Sequence, residues 1–205
     1  MPLKQSSSRL EGFSDSVFAF AATLLVVTLE VPDSIDQLRD MLVGFISFGI
    51  SFGGLVYLWY VHNQYFRRIS GIDNGIIILN MLLLFVILFY VYPLKFLANT
   101  MIGENMLGSA EDFALVLQLY GIGFICLFAI VAAMYAYAAR SAFAADNQEE
   151  LRFYARHFAI FVFVGLLSTG LAYAQVGLRF GVSGWAYLLI GPLCYIHGVR
   201  YGVDN

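Results

Sequence analysis

Charged side chains are scarce in this chain. They make up 12% of its 205 residues, where soluble domains carry about 25%. Set against a hydrophobic share of 60%, that deficit excludes an ordinary water-soluble domain and points to an integral membrane protein. Cysteine is nearly absent as well: Cys126 and Cys194 both lie inside apolar runs, without metal-ligand spacing, so neither a zinc site nor a disulfide scaffold is expected. The sequence has no HExxH, no GxSxG, no nucleotide-binding loop and no pair of intramembrane aspartates, the patterns that would signal catalysis. The reading is therefore a protein that is not an enzyme and needs no cofactor. A net charge of -3 says little in itself, because what matters is where the charges sit; no nucleic-acid partner is expected. The N-terminus also lacks a compact apolar core followed by a small-residue cleavage site, so the first apolar segment is expected to stay in the mature chain.

What is present is a series of long apolar runs. A helix needs about 20 largely apolar residues to cross a bilayer core of about 30 Å. The stretches Met41–Phe66, Asn74–Leu94, Phe113–Ala139, His157–Leu178 and Phe180–Val199 are free of Asp, Glu, Lys and Arg, and each is long enough. The first segment differs: Ser16–Leu29 gives 14 uncharged residues, which span only with Asp15 or Glu30 at membrane depth. Counting it, the fold class is all-α, with six transmembrane helices in one unit over residues 1–205. Their approximate bounds are 12–31, 41–66, 74–97, 112–140, 152–177 and 180–200. Pro32-Asp33 and the turns RRISGIDNG, SAFAADNQEEL and RFGVSG punctuate the division. The connection NTMIGENMLGSAED is long enough for a short interfacial helix. No internal repeat is evident.

Orientation follows from the basic residues. Lys4, Arg9, Arg67, Arg68, Arg140, Arg152, Arg156 and Arg200 fall on one side and Arg39, Lys95 and Arg179 on the other, a split of 8 to 3. Positive charge stays inside, so both termini are expected in the cytoplasm. The opposite side gathers Glu30, Asp33, Asp36, Asp40, Glu104, Glu111 and Asp112, an acidic rim able to concentrate cations.

The first helix is more polar than a lipid-facing segment needs to be. At 3.6 residues per turn, Ser16, Phe20, Thr23, Val27 and Glu30 share one face. Ala19, Ala22 and Val26 form a neighbouring face suited to close packing, while Phe18, Leu25 and Leu29 suit lipid or core. Asp15 and Glu30 have two readings: they mark the two interfaces and cap a short helix, or they border a water-filled cavity. One stripe cannot enclose a pore, so the second reading requires several copies around a common axis.

Other polar residues are weighed in the same way. Trp59, His62 and Asn63, near the end of the second helix, are either interfacial anchors or partners of Arg9, Ser14 and Asp15. His157 and His197 read as helix-end residues, and Asn80, Gln118 and Gln175 as interhelical hydrogen-bonding amides. Gly49 and Gly53 form one GxxxG spacing, a weak signal in a chain with 19 glycines.

Arg9, Phe13, Ser14 and Asp15 fit the pattern RxxxFSD at the start of a first membrane helix. In this the chain resembles the transmembrane protein 175 family, potassium channels of animal endolysosomes and their bacterial homologues. The resemblance covers the whole chain, in the single-repeat form of bacterial members; animal members carry two repeats. It implies a homotetramer whose four first helices line a central pore without a TVGYG filter, and this sequence contains none. It also implies that Phe20 occupies the constriction, Thr23 the hydroxyl layer and Val27 the next apolar ring, with Leu24 adjacent. Family members mostly carry Ile or Leu where Phe20 stands, a departure that bears on gate width. Ser16 and Glu30 would stand at the pore mouths. Arg9, Phe13, Ser14 and Asp15 would be structural, with Arg9 and Asp15 tying the pore helix to its neighbours and with Trp59, His62 or Asn63 as candidate partners.

The expected function is passive conduction, weakly selective for potassium over sodium. The only metal ions expected are permeant K⁺, and the expected partners are further copies of the chain, membrane lipid and K⁺. A single-repeat chain without targeting signals is expected in a prokaryotic plasma membrane. The alternative is a proton- or cation-coupled secondary transporter using Asp15 and Glu30. No inverted repeat and no chain of intramembrane acids supports that alternative.

Overall fold

The structure is a computed structural model that describes residues 7–27, 33–102, 110–141, 144, 147–177 and 181–201; side chains at 36–43, 94–95, 97–102 and 110 are not described. Every regular element among the described residues is helical. They are α1 (Ser7–Val27), α2 (Ile35–Phe66), α3 (Asn74–Ile102), α4 (Ala110–Ala138), α5 (Gln148–Tyr173), α6 (Val182–Trp185) and α7 (Ile190–Tyr201), with a 3₁₀ turn at Ala186–Leu189 joining the last two. Among the described residues, six stretches are long and apolar enough to cross a membrane: α1, Gly44–Phe66 of α2, Asn74–Pro93 of α3, Glu111–Ala138 of α4, α5, and Val182–Tyr201 taken as one unit.

Several helix ends differ from the sequence expectation, each for a local reason. Helix α2 has 32 residues, about 48 Å at 1.5 Å per residue. It begins before the apolar run, since the charged stretch 36–40 carries no helix breaker. Helix α3 continues through Pro93 to Ile102. Proline costs one backbone hydrogen bond, but packed membrane helices tolerate it where neighbours re-satisfy the freed groups. The expected interfacial helix after α3 falls partly at residues 103–109, outside the described residues. The sixth span is broken. Pro192 cannot donate a backbone hydrogen bond to the preceding turn, and the chain tightens into 3₁₀ geometry just before it.

Turns are closed by specific bonds. Asp73 caps α3, its Oδ1 accepting the Ile76 N–H at 2.9 Å, while its Oδ2 accepts the Tyr137 hydroxyl at 2.9 Å. Helix α5 ends in paired backbone bonds from Val176 N–H to the Leu171 carbonyl at 3.0 Å and from Gln175 N–H to the Ala172 carbonyl at 3.2 Å. This two-bond ending needs a left-handed residue, and Gln175 supplies it with φ 55°.

Helices α4 and α5 pack most extensively on each other, α3 lies against α4, and α1 rests on α2 and α3. The α4–α5 seam is aromatic: Phe128 stacks on Phe158 and meets Phe161, and Tyr135 stacks on Tyr154 and Phe158. A Cβ at Gly121 would collide with Thr169 of α5, so the absent side chain is what allows the approach. By contrast, Gly49 and Gly53 have nothing within 4 Å. Their GxxxG face is bare in the single chain.

Arg68, just past α2, ties that helix to α5. Its Nε donates to Glu150 at 2.7 Å, one terminal nitrogen donates to the Gln64 carbonyl and side chain, and the other to the Tyr154 hydroxyl at 2.9 Å. Burial works to lower the Arg68 pKa, but the Glu150 hydrogen bond and the charges of nearby groups outweigh it, so the pKa is raised.

Candidate functional site

Helix α1 presents two opposite faces. Leu10, Ser14, Phe18, Ala21 and Leu25 are buried, a spacing of three and four residues that turns one stripe toward α2 and α3. The other face carries Ser16, Phe20, Thr23 and Val27, all exposed, with Phe20 at 56% and Val27 at 71%. These residues reach no core within their own subunit. Leu24 sits at the edge of that face, half-buried and packed on the core. Glu30 lies outside the described residues.

The hydroxyls on the exposed face are oriented by the helix itself. Ser16 Oγ donates to the Gly12 carbonyl at 2.8 Å and Thr23 Oγ1 to the Ala19 carbonyl at 2.9 Å. A hydroxyl has one proton and two lone pairs. With the proton committed to the preceding turn, each oxygen offers only lone pairs to whatever faces it, which suits a cation.

Behind this face the motif divides its work. Ser14 is fully buried; its Oγ donates to the Leu10 carbonyl at 2.8 Å and accepts from Asn80 Nδ2 at 3.0 Å. The Asn80 Oδ1 lies 2.8 Å from His62 Nε2. His62 is itself wedged between Phe18 and Phe66 rings, with centroids 5.4 Å and 4.8 Å away. A continuous polar chain, Ser14–Asn80–His62, thus joins α1, α3 and α2 inside an apolar interior. Asp15 accepts the Trp59 indole N–H at 2.8 Å, a second clasp between α1 and α2.

Two expected contacts take a different form. Arg9 is exposed and makes no ion pair with Asp15 among the described residues; the indole holds the carboxylate instead. Asn63 is half-buried and bonds to no motif residue. Phe13 is 51% exposed, facing outward beside Ser16. The reading from sequence treated Asn80 as one amide among several and gave it no partner. The signal was available: an amide inside the apolar run GIIILNMLLLFVILF must find hydrogen bonds when buried. Among the described residues no group of three or more His, Cys, Asp or Glu could hold a metal ion.

Comparison with known proteins agrees with this architecture. The family model "Endosomal/lysosomal potassium channel TMEM175" matches residues 9–90, which cover the motif, α2 and most of α3. A protein of Marivirga tractuosa named potassium channel is 35% identical over 145 residues, 64% of this chain and 59% of its own length. Another potassium channel, from Chamaesiphon minutus, is 29% identical over 121 residues, 55% of this chain and 60% of its own length. The chain therefore spans about three fifths of the length of these curated relatives. Among solved structures, a threonine-to-alanine variant of the potassium channel MtTMEM175, bound to a nanobody–MBP fusion, superposes with a TM-score of 0.82 at 28% identity, covering 98% of this chain and 95% of that one. A homologue, from Chamaesiphon minutus, of the lysosomal potassium-selective channel TMEM175 shares the fold with a TM-score of 0.66 at 21% identity, covering 96% of this chain and 98% of that one. With RxxxFSD at the head of α1, its serine and aspartate clasped to α3 and α2, the chain matches the TMEM175 family model over residues 9–90 and is similar in fold to the bacterial TMEM175 channel throughout.

Proposed function

We propose that the chain is the subunit of a passive cation channel, weakly selective for potassium over sodium, in which four copies set their α1 helices around a central axis. The observation that carries this reading is the outward stripe of Ser16, Phe20, Thr23 and Val27, exposed in the single chain. A membrane protein gains nothing by turning hydroxyls to lipid, and a shared aqueous axis removes the conflict. The names of the relatives point the same way.

In such a pore Phe20 and Val27 form apolar rings, and narrow apolar constrictions gate by dewetting. Thr23 lies between them in sequence, its lone pairs turned outward to replace part of an ion's hydration shell. Larger K⁺ releases water more readily than Na⁺, which gives the ring a modest preference. Glu30, one turn beyond Val27 in sequence, would draw cations to the mouth. The arginine-rich ends support a reading with both termini in the cytoplasm, in keeping with a channel of the cell membrane. The transporter alternative would use Asp15 and Glu30; in this structure Asp15 holds α1 to α2 through the Trp59 indole.

Flux from the purified protein in liposomes, under K⁺ and Na⁺ gradients, tests the proposal together with native size. Expected are a tetramer and a flux favouring K⁺, with the K⁺/Na⁺ ratio altered by Thr23→Ala. Saturating, proton-coupled flux, or an intact tetramer with no passive flux, would overturn it.

A further inference from the structure

At the arginine-rich end of the α4–α5 seam lies a cavity of about 380 Å³, lined by Ala136, Ala139, Arg140, Arg152, Ala155 and Arg156. We infer that it is a binding site for the phosphodiester headgroup of an anionic membrane lipid. Three arginines line one space, and none of them has an ion pair among the described residues. The nearest acids along α5 do not neutralise them: Glu150 is committed to Arg68 at 2.7 Å, and Glu149 is exposed and paired with none of the three. Arg156 also lies 5.7 Å from the Tyr201 ring centroid, with Arg200 equally far from the same ring.

Depth selects the ligand. Arg140 lies two residues beyond the Glu111–Ala138 span, and Arg152 and Arg156 stand in the first three turns of Gln148–Tyr173. This is headgroup level, where basic pockets between membrane helices take phosphate-bearing lipids. Guanidinium forks match phosphate oxygens in pairs. The three alanines supply an apolar floor, useful to a glycerol backbone and its first methylenes but not to a free phosphate ion. The site stands apart from α1 and does not depend on conduction.

The test is titration of phosphatidylglycerol, phosphatidylcholine and inorganic phosphate onto the purified full chain in detergent, read by native mass spectrometry. Phosphatidylglycerol is expected to bind at least tenfold tighter than phosphatidylcholine. The triple variant R140Q/R152Q/R156Q should weaken phosphatidylglycerol binding about a hundredfold. R67Q, which removes an exposed charge from the same end but outside the cavity, should change it less than twofold. R140K/R152K/R156K keeps the charge but loses the paired forks, so it should bind between the unaltered chain and the Gln variant; it serves as the folded comparison if the Gln variant is unstable, with single Gln variants then read in its place. Equal binding of the two lipids, or unchanged phosphatidylglycerol binding in the Gln variants, would overturn the site. Saturable binding of inorganic phosphate without preference for phosphatidylglycerol would overturn the assignment to lipid.

Discussion

Asn80 occupies a position where almost any other residue would be apolar, yet it is fully buried and serves two partners on two other helices. Replacing it with alanine removes a donor from Ser14 and a partner from His62, and leaves the imidazole stranded. Buried polar groups left without partners cost about 1–3 kcal/mol each. Asn80→Ala is therefore expected to lower the unfolding midpoint in detergent by several degrees. The double variant His62→Phe with Asn80→Leu should recover part of that loss, because both polar partners are then gone. A double variant no more stable than Asn80→Ala would show that packing around Phe18 and Phe66, not the polar chain, sets the cost. At Asp15 the partner is Trp59, so Asp15→Ala and Trp59→Phe should impair assembly to the same degree, and the pair together no further. Strictly additive losses, measured as the tetramer fraction on native gels, would argue against that clasp.

Helix ends are where this fold departs most from its apolar pattern, because caps and prolines act within one turn while hydropathy is averaged over twenty residues. The end of α5 places Gln175 at positive φ, a region that costs a residue with a Cβ about 1–2 kcal/mol and a glycine almost nothing. Gln175→Gly should thus stabilise the protein by about 1 kcal/mol; a lowered melting temperature would mean that the amide has an uncounted role. At the start of α3, Asp73→Ala forfeits the bond to Ile76 and should cost about 1 kcal/mol. Asp73 lies in a stretch read as a turn, whereas Gln175 was read as an interhelical amide and instead closes α5; which residue took the cap depended on backbone geometry that periodicity does not carry. The sixth span shows the same limit. Its composition reads as one continuous helix, and only Pro192 hints at the break.

Across the whole molecule, the number of spans and the exposed face of α1 were legible from a period of 3.6 and from the distribution of charge. The pairing of elements was not. Nothing in residues 62 or 80 alone announces that α2 and α3 meet there, since a buried amide signals that it has a partner without saying which. Arg68 was read as a topology marker, and only packing revealed it as the brace between α2 and α5. The proposed assembly adds one expectation at this scale. If Phe20 forms the proposed apolar ring, Phe20→Ala should raise flux while lowering the K⁺/Na⁺ ratio, with the fold of the subunit intact because Phe20 is exposed there. An unchanged flux and ratio would move the constriction elsewhere along α1.

The bond from Thr23 to the Ala19 carbonyl bears on the sign of the permeant ion as well as its size. Chloride is solvated by protons, and four threonines whose protons point back into their own helices would offer it none. The pore would then reject anions through hydrogen-bond polarity at its middle, even with the acidic mouth neutralised, and a KCl gradient at low pH would still give a reversal potential near that of a pure cation conductor.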